Sequence, residues 1–354
     1  MIHEPTDIQA PQDPRQWRSL TTTQRLQMIE DLLIEHRLFR ALTAEIDRCA
    51  LYAHKIAVAT PPCLVILGET GAGKTTLVET WLRKASLKRQ ETPEGSIIPY
   101  LYVSVPAGAT IKGTASVFLR TMGDPNPSRG TQWNMVERLH LLISGCSVRM
   151  IFVDEFQHAV NKETQRVLHD VADFLKDIIN QNKVPMVLIG RSGEAEPILR
   201  VNPQLDRRVG TPLYLKPFEW DRTQPQTTIL EFRALMESID RALPFDPSQL
   251  SDEEMAYRFY YATNGYLGWI MQLIRYAAYQ AIHAESPVLH LPSLAAAYDA
   301  CIAQTVMGRG KTNPFSPLRF READVSLVRA SNEREQLPTP STGRGTNRRG
   351  RRKK

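Results

Sequence analysis

The stretch Leu64–Leu82, LVILGETGAGKTTLVETWL, sets a glycine-rich turn between a continuous apolar run and an amphipathic one. The first run reads as a buried strand, and Leu77, Val78, Trp81 and Leu82 mark one face of a helix. The turn fits G-x-x-x-x-G-K-[ST] through Gly68, Gly73, Lys74 and Thr75. Strand before and helix after supply the context in which such a loop cradles phosphate. Gly68, Gly71 and Gly73 permit backbone angles that residues with a Cβ resist, which lets N–H groups converge on phosphate oxygens. The expected nucleotide-binding segment is therefore Gly68, Glu69, Thr70, Gly71, Ala72, Gly73, Lys74, Thr75 and Thr76. Lys74 reaches the β- and γ-phosphates of ATP, and Thr75 offers its hydroxyl to Mg²⁺.

Hydrolysis needs a carboxylate for the metal and a base for water. MIFVDE, Met150–Glu155, ends a second apolar run on two acids. Asp154 is placed to hold a water on Mg²⁺ and Glu155 to polarise the attacking water. A helix-capping pair is the plainer alternative. VLIGRSG, Val187–Gly193, ends another strand, where Ser192 or Arg191 can sense the γ-phosphate. Arg207 and Arg208, in PQLDRRVG, precede the last strand. One of them can reach a neighbouring subunit's phosphate, or both can form surface salt bridges. His158, three residues past Glu155, is expected to pack or hydrogen-bond rather than act as a base.

These runs organise the chain. Strands are expected at Cys63–Leu67, Pro99–Val105, Val148–Glu155, Val184–Gly190 and Thr211–Phe218, with helices over 74–87 and 162–181. A helix beginning near Thr21, capped by Thr22 or Thr23, and a second over 39–56 lead into them. Strands alternating with helices imply an α/β fold with a parallel five-stranded sheet flanked by helices. From 223 to 306 only helical patterns remain, which gives a small all-helical domain. The divisions expected are an arm over 1–20, a core over 21–222 with leading helices at 21–57, the helical domain over 223–306, and an extension over 307–354.

Charge confirms the last division. Of a net +6 in 354 residues, the terminal GRGTNRRGRRKK holds seven basic residues and no acid, so the rest stands at −1. Such a run reads as a disordered arm for polyanions, duplex DNA among them. Trp17 is the lone aromatic of the leading arm, an anchor for another subunit or a partner. The polar amino terminus lacks a secretory pattern, and no apolar run approaches the ~18 residues of a membrane span. The four cysteines have no CxxC spacing, which fits a reducing cytoplasm without a zinc site.

In this order, GETGAGKTTL, YVSVPAGATIKGTASVFLRTMGDP, VDEFQHAV and TNGYLGWIMQLIRYA resemble the TniB/TnsC family of AAA+ transposition regulators, over roughly residues 25–305. The resemblance implies an AAA+ ATPase that uses ATP and Mg²⁺ and assembles as a ring or filament on duplex DNA. It also implies that the protein links a TniQ-like target-selection protein, CRISPR-associated or not, to a transposase, and that hydrolysis releases the assembly. The family's DNA-facing residues lie after the second strand. By motif match they fall on Lys112, with Arg129 and Thr131 beside it, residue types suited to sequence-independent phosphate contacts. Many AAA+ lids carry an arginine in a G-x-x-R pattern, and GYLGW puts Gly268 there. The transposase contact is expected after Met307. The alternatives are a scaffold that holds nucleotide without turnover, and another AAA+ or STAND ATPase such as a helicase loader.

Overall fold

The computed structural model of the protein describes residues 16–54, 61–93, 95–159 and 165–316. Its strands in chain order are β1 (Cys63–Leu67), β2 (Gln90–Thr92), β3 (Gly95–Ile97), β4 (Tyr100–Ser104), β5 (Met150–Asp154), β6 (Met186–Gly190) and β7 (Leu213–Tyr214). The helices that precede and flank the sheet are α1 (Thr22–Glu30), α2 (Arg37–His54), α3 (Lys74–Lys84), α4 (Ile111–Thr121), α5 (Gln132–Gly145), α6 (Gln165–Asn182), α7 (Glu196–Val201) and α8 (Pro203–Val209). Four more follow: α9 (Ile229–Ala242), α10 (Glu253–Thr263), α11 (Leu267–His283) and α12 (Leu291–Cys301).

Five strands pair in parallel in the order β4-β5-β6-β1-β7. β1, β5 and β6 are buried at every position, which explains their unbroken apolar runs. Alternation still divides their side chains between two layers. Val65, Leu67, Ile151, Val153 and Leu188 enter one core with α4–α8, while Leu64, Ile66, Phe152, Val187 and Ile189 enter the other with α2 and α3. β7 is shorter than Thr211–Phe218 because Pro212 and Pro217 bracket it, although Leu215 N–H still bonds Leu67 O at 2.7 Å.

The register builds the site. Leu67 pairs with Gly190 and Asp154 with Ile189, so β1, β6 and β5 end at one level. The loop after β1, the turn after β6 and the acids at the end of β5 therefore meet on one rim, outside the carboxyl ends of the strands.

The remaining helices form a third core around Phe232, Phe259, Ile270, Leu294 and Tyr298. α1, expected as a leader of the ATPase core, packs here against α11 with Ile29 buried. Its cap is Thr21, in a reciprocal box with Gln24, rather than Thr22 or Thr23. The helix stops at Glu30 because the next residues serve two cores. Leu33 packs toward the sheet and Ile34 toward the helical unit, a division no continuous helix face allows.

Trp17 does not project toward a partner. It is buried on its own chain, its indole donating to Asp246 and its ring stacked under Arg25, whose guanidinium also covers Phe245. The start of the extension is likewise packed. Phe315 is fully buried against Phe259, and Lys311 donates to the carbonyls of Tyr261 and Ala262 at the end of α10. The expected basic tail and the first residues of the arm lie outside the described residues.

Candidate nucleotide-binding site

The phosphate loop is shaped by two left-handed glycines, Gly71 (φ 79°) and Gly73 (φ 96°), the second serving as N-cap of α3. Gly68 has a different reason to be glycine. Its backbone is ordinary, but a Cβ would lie 2.6 Å from the O of Leu215, the residue just past β7. Lys74 is buried and folds back over the loop, donating to Gly68 O at 2.9 Å and Glu69 O at 3.1 Å. Thr70, Thr75 and Thr76 are exposed at the rim and Ala72 is buried beneath it.

Thr75 and Asp154 are brought together, 79 residues apart in sequence. The hydroxyl donates to Asp154 Oδ2 at 2.9 Å. Tyr102 donates to the same oxygen at 2.8 Å, a partner that sequence reasoning missed. Burial, then the charge of Asp154, push the Tyr102 phenol well above its ordinary range, so it stays a donor. The signal available was a tyrosine amid apolar residues on the strand preceding the acid pair.

Glu155 follows with φ 53°, a left-handed angle rare for a side-chain-bearing residue. Its N–H bonds Asp154 Oδ1, and its Oε2 accepts from Gln157 Nε2 at 2.5 Å. His158 Nδ1 lies 3.1 Å from Val105 O, which can only accept, so that nitrogen carries the proton. Its other nitrogen stands 3.9 Å from Glu155. Held by backbone, His158 has the hydrogen-bonding role the sequence suggested.

At the end of β6, Arg191 pairs with Glu194 at 2.7 Å and approaches Glu69 of the phosphate loop at 3.6 Å. Ser192 is half-buried in the same turn. Arg207 and Arg208 lie elsewhere, on α8. Arg208 has a buried Nη1 without a hydrogen-bond partner among the described residues, and its charge reaches Cys63, at the end of β1 opposite the phosphate loop. Arg207 is exposed.

Lys112 is exposed in the first turn of α4, after the cap Thr110. Arg129 and Thr131 are exposed before α5, and Thr131 caps that helix by accepting from Asn134 N–H. Their loop is organised by Arg138, which pairs with Asp124 at 2.9 Å and donates to the carbonyls of Asn126 and Arg129. Ser128 meets Ser116 of α4 at 2.9 Å, which folds this loop back along that helix.

The lid touches the loop through backbone. Gly268 N–H donates to Gly71 O at 2.9 Å, and a Cβ on Gly268 would sit 2.6 Å from that oxygen. Where the G-x-x-R pattern would put an arginine, the backbone at Gly268 approaches the loop too closely for a Cβ.

The family model described as "Bacterial TniB protein" matches residues 25–219. No curated protein sequence matches the chain. Among solved structures, the Aeropyrum pernix ORC2 protein in its ADPNP and ADP complexes is similar at TM-score 0.56 and 18% identity, covering 77% of this chain and 71% of that one. The Aeropyrum pernix ORC1 protein in complex with DNA aligns at 0.53 and 20%, covering 77% and 66%. Cdc6p from Pyrobaculum aerophilum aligns at 0.52 and 13%, covering 84% and 70%. At these identities the likeness is one of fold. Among the described residues, no helix is long and apolar enough to cross a membrane.

Proposed function

The chain belongs to the TniB family and has the fold of AAA+ P-loop ATPases, and from that premise we propose that it is an ATP-hydrolysing regulator of DNA transposition that assembles on duplex DNA. The observation that carries this reading is the shared rim where Lys74, Thr75, Asp154 and Glu155 converge.

Bound triphosphate would take the Lys74 ammonium from the carbonyls of Gly68 and Glu69. The N–H groups at the start of α3 would add their dipoles. The Thr75 hydroxyl and the Asp154 carboxylate form the kind of oxygen pair that magnesium binds while keeping several waters, so the residues fit that ion. When bound, Mg²⁺ neutralises charge on the transferring phosphoryl group. Tyr102 holds Asp154 in place for this. Glu155 orients the attacking water and accepts its proton, a contribution of about 10²–10⁴ in rate for a well-placed base. Ser192 and Arg191 stand where a γ-phosphate would be felt, and Arg191 would exchange Glu69 for it.

The exposed Arg207 suits a contact made on a neighbouring copy, with Arg208 the weaker candidate because it turns toward β1. ATP would then join subunits of a homo-oligomer, and hydrolysis would release them. Lys112, Arg129 and Thr131 are the candidate contacts to the duplex backbone, in keeping with the ORC1 protein of similar fold solved with DNA. A transposase and a TniQ-like target-selection protein are the proposed further partners. Part of the extension expected to meet the transposase, 307–316, is packed on the helical unit, which leaves residues beyond 316 as the candidate.

The test is phosphate release with and without duplex DNA. The parent should hydrolyse ATP and respond to DNA. Lys74→Ala should lose nucleotide-dependent assembly, and Glu155→Gln should assemble with hydrolysis cut by about 10²–10⁴-fold to a slow residual rate. A Glu155→Gln protein that releases phosphate at the parent rate contradicts the reading.

A further inference from the structure

Gln157 lies two residues past Glu155 in a 3₁₀ turn, Phe156–Ala159, and the residue is only 5% exposed. Both ends of its amide are engaged. Nε2 donates to Glu155 Oε2 at 2.5 Å, and Oε1 accepts from the N–H of Arg191 at 3.2 Å. The amide thus spans from the acid pair of β5 to the first residue after β6. β6 makes room for it. A Cβ on Gly190 would lie 2.9 Å from Gln157 Oε1 and 2.8 Å from the Phe156 ring.

Glu155 needs such a partner. Its left-handed backbone angle aims the side chain out of the strand direction, and a glutamate has three rotatable bonds beyond that. A donor on one carboxylate oxygen fixes the rotamer and leaves the other oxygen to accept from water. A base held within tenths of an ångström keeps the near-attack geometry that a free side chain forfeits.

We propose that Gln157 is a positioning residue for ATP hydrolysis: its amide holds the Glu155 carboxylate in register with the end of β6, the strand end that carries Arg191 and Ser192. The inference rests on the reading of Glu155 as the water-polarising base. Gln157 bonds Glu155 and the Arg191 N–H, and its part in hydrolysis is exerted through the Glu155 carboxylate.

Two substitutions separate its bonds. Gln157→Leu keeps the volume and removes both. Gln157→Glu retains an acceptor for Arg191 N–H but sets a carboxylate against Glu155. Steady-state ATP hydrolysis on duplex DNA should show kcat down by at least ~10-fold in both, with KM and the unfolding temperature near those of the parent. Single-turnover hydrolysis in a Glu155→Gln background supplies the decisive comparison, because adding Gln157→Leu there should cost nothing further. An unchanged kcat in Gln157→Glu, or an equal loss from Gln157→Leu with and without Glu155, overturns the proposal while leaving Glu155 as the base. If Glu155→Gln alone runs at the parent rate, the underlying reading fails and this inference with it.

Discussion

Gly268→Ala is the smallest change that should uncouple the lid from the phosphate loop. The added methyl would stand 2.6 Å from Gly71 O, 3.1 Å from its Cα and 3.2 Å from its carbonyl carbon. All three are backbone atoms of the loop, so no flexible side chain can yield. Relief requires α11 to lift from the loop or the loop to deform. Overpacking of this kind costs about 1–3 kcal/mol, and the lost Gly268 N–H to Gly71 O bond about 0.5–1.5 kcal/mol. Part of the strain relaxes with the movement, so a loss of about 2 kcal/mol in the closed arrangement is the working figure, roughly 30-fold in its population. The helix itself should survive, because Ile270, Leu273 and Ile274 keep its own core. Titration with a fluorescent ATP analogue should give a Kd raised about 10–30-fold with the unfolding temperature little changed. Gly145→Ala is the control, since a Cβ there meets nothing within 4 Å. Parental affinity in Gly268→Ala, with unaltered hydrogen exchange over 266–270, would refute the reasoning.

Tyr102→Phe removes one of two hydroxyl donors on Asp154 Oδ2. It should lower stability by about 1 kcal/mol and raise the magnesium needed for half-maximal ATPase, both measurable by thermal unfolding and metal titration. Trp17→Ala vacates a buried site and strips the ring from Arg25, so chemical denaturation should show a loss of about 3 kcal/mol, and a loss below ~0.5 kcal/mol would mean the contact is not formed in solution. Lys311 is held by burial at a pKa of about 8, against an ordinary 10.5. Between those values the unfolded chain binds more protons than the folded one, so stability rises with pH across about 8 to 10.5. Relative to Lys311→Met, the parent should gain stability through that window, and a constant difference would contradict it.

How much of this was legible depends on how local each feature is. The phosphate loop is written in nine consecutive residues, and its strand and helix are adjacent to it. The acid pair is legible because an apolar run ends on it. The five strands and the four late helices follow from periodicity, which reports burial directly. Gln157 and Tyr102 are different, since their meaning lies in Arg191 N–H and Asp154 Oδ2, which the fold brings from 34 and 52 residues away. α1 has an apolar face, but periodicity does not say which core receives it. The β2–β3 hairpin leaves no alternating apolar pattern to read, because its residues are largely exposed and polar. α4 lies inside the motif-bearing stretch Tyr102–Pro125 and α5 follows it, and the sequence reading sets no helix at either. At Gly68 the constraint is the approach of Leu215, just past β7, and not a backbone angle, so a local reading of the loop has no access to it.

The central claim is that nucleotide joins copies of this chain on duplex DNA and that Glu155 ends the association. Sedimentation of the full chain with duplex DNA, with and without ATP and magnesium, tests it most directly. Large DNA-bound species should form only with ATP, decay as phosphate appears, and persist in Glu155→Gln. Equal sedimentation with and without nucleotide would contradict the account.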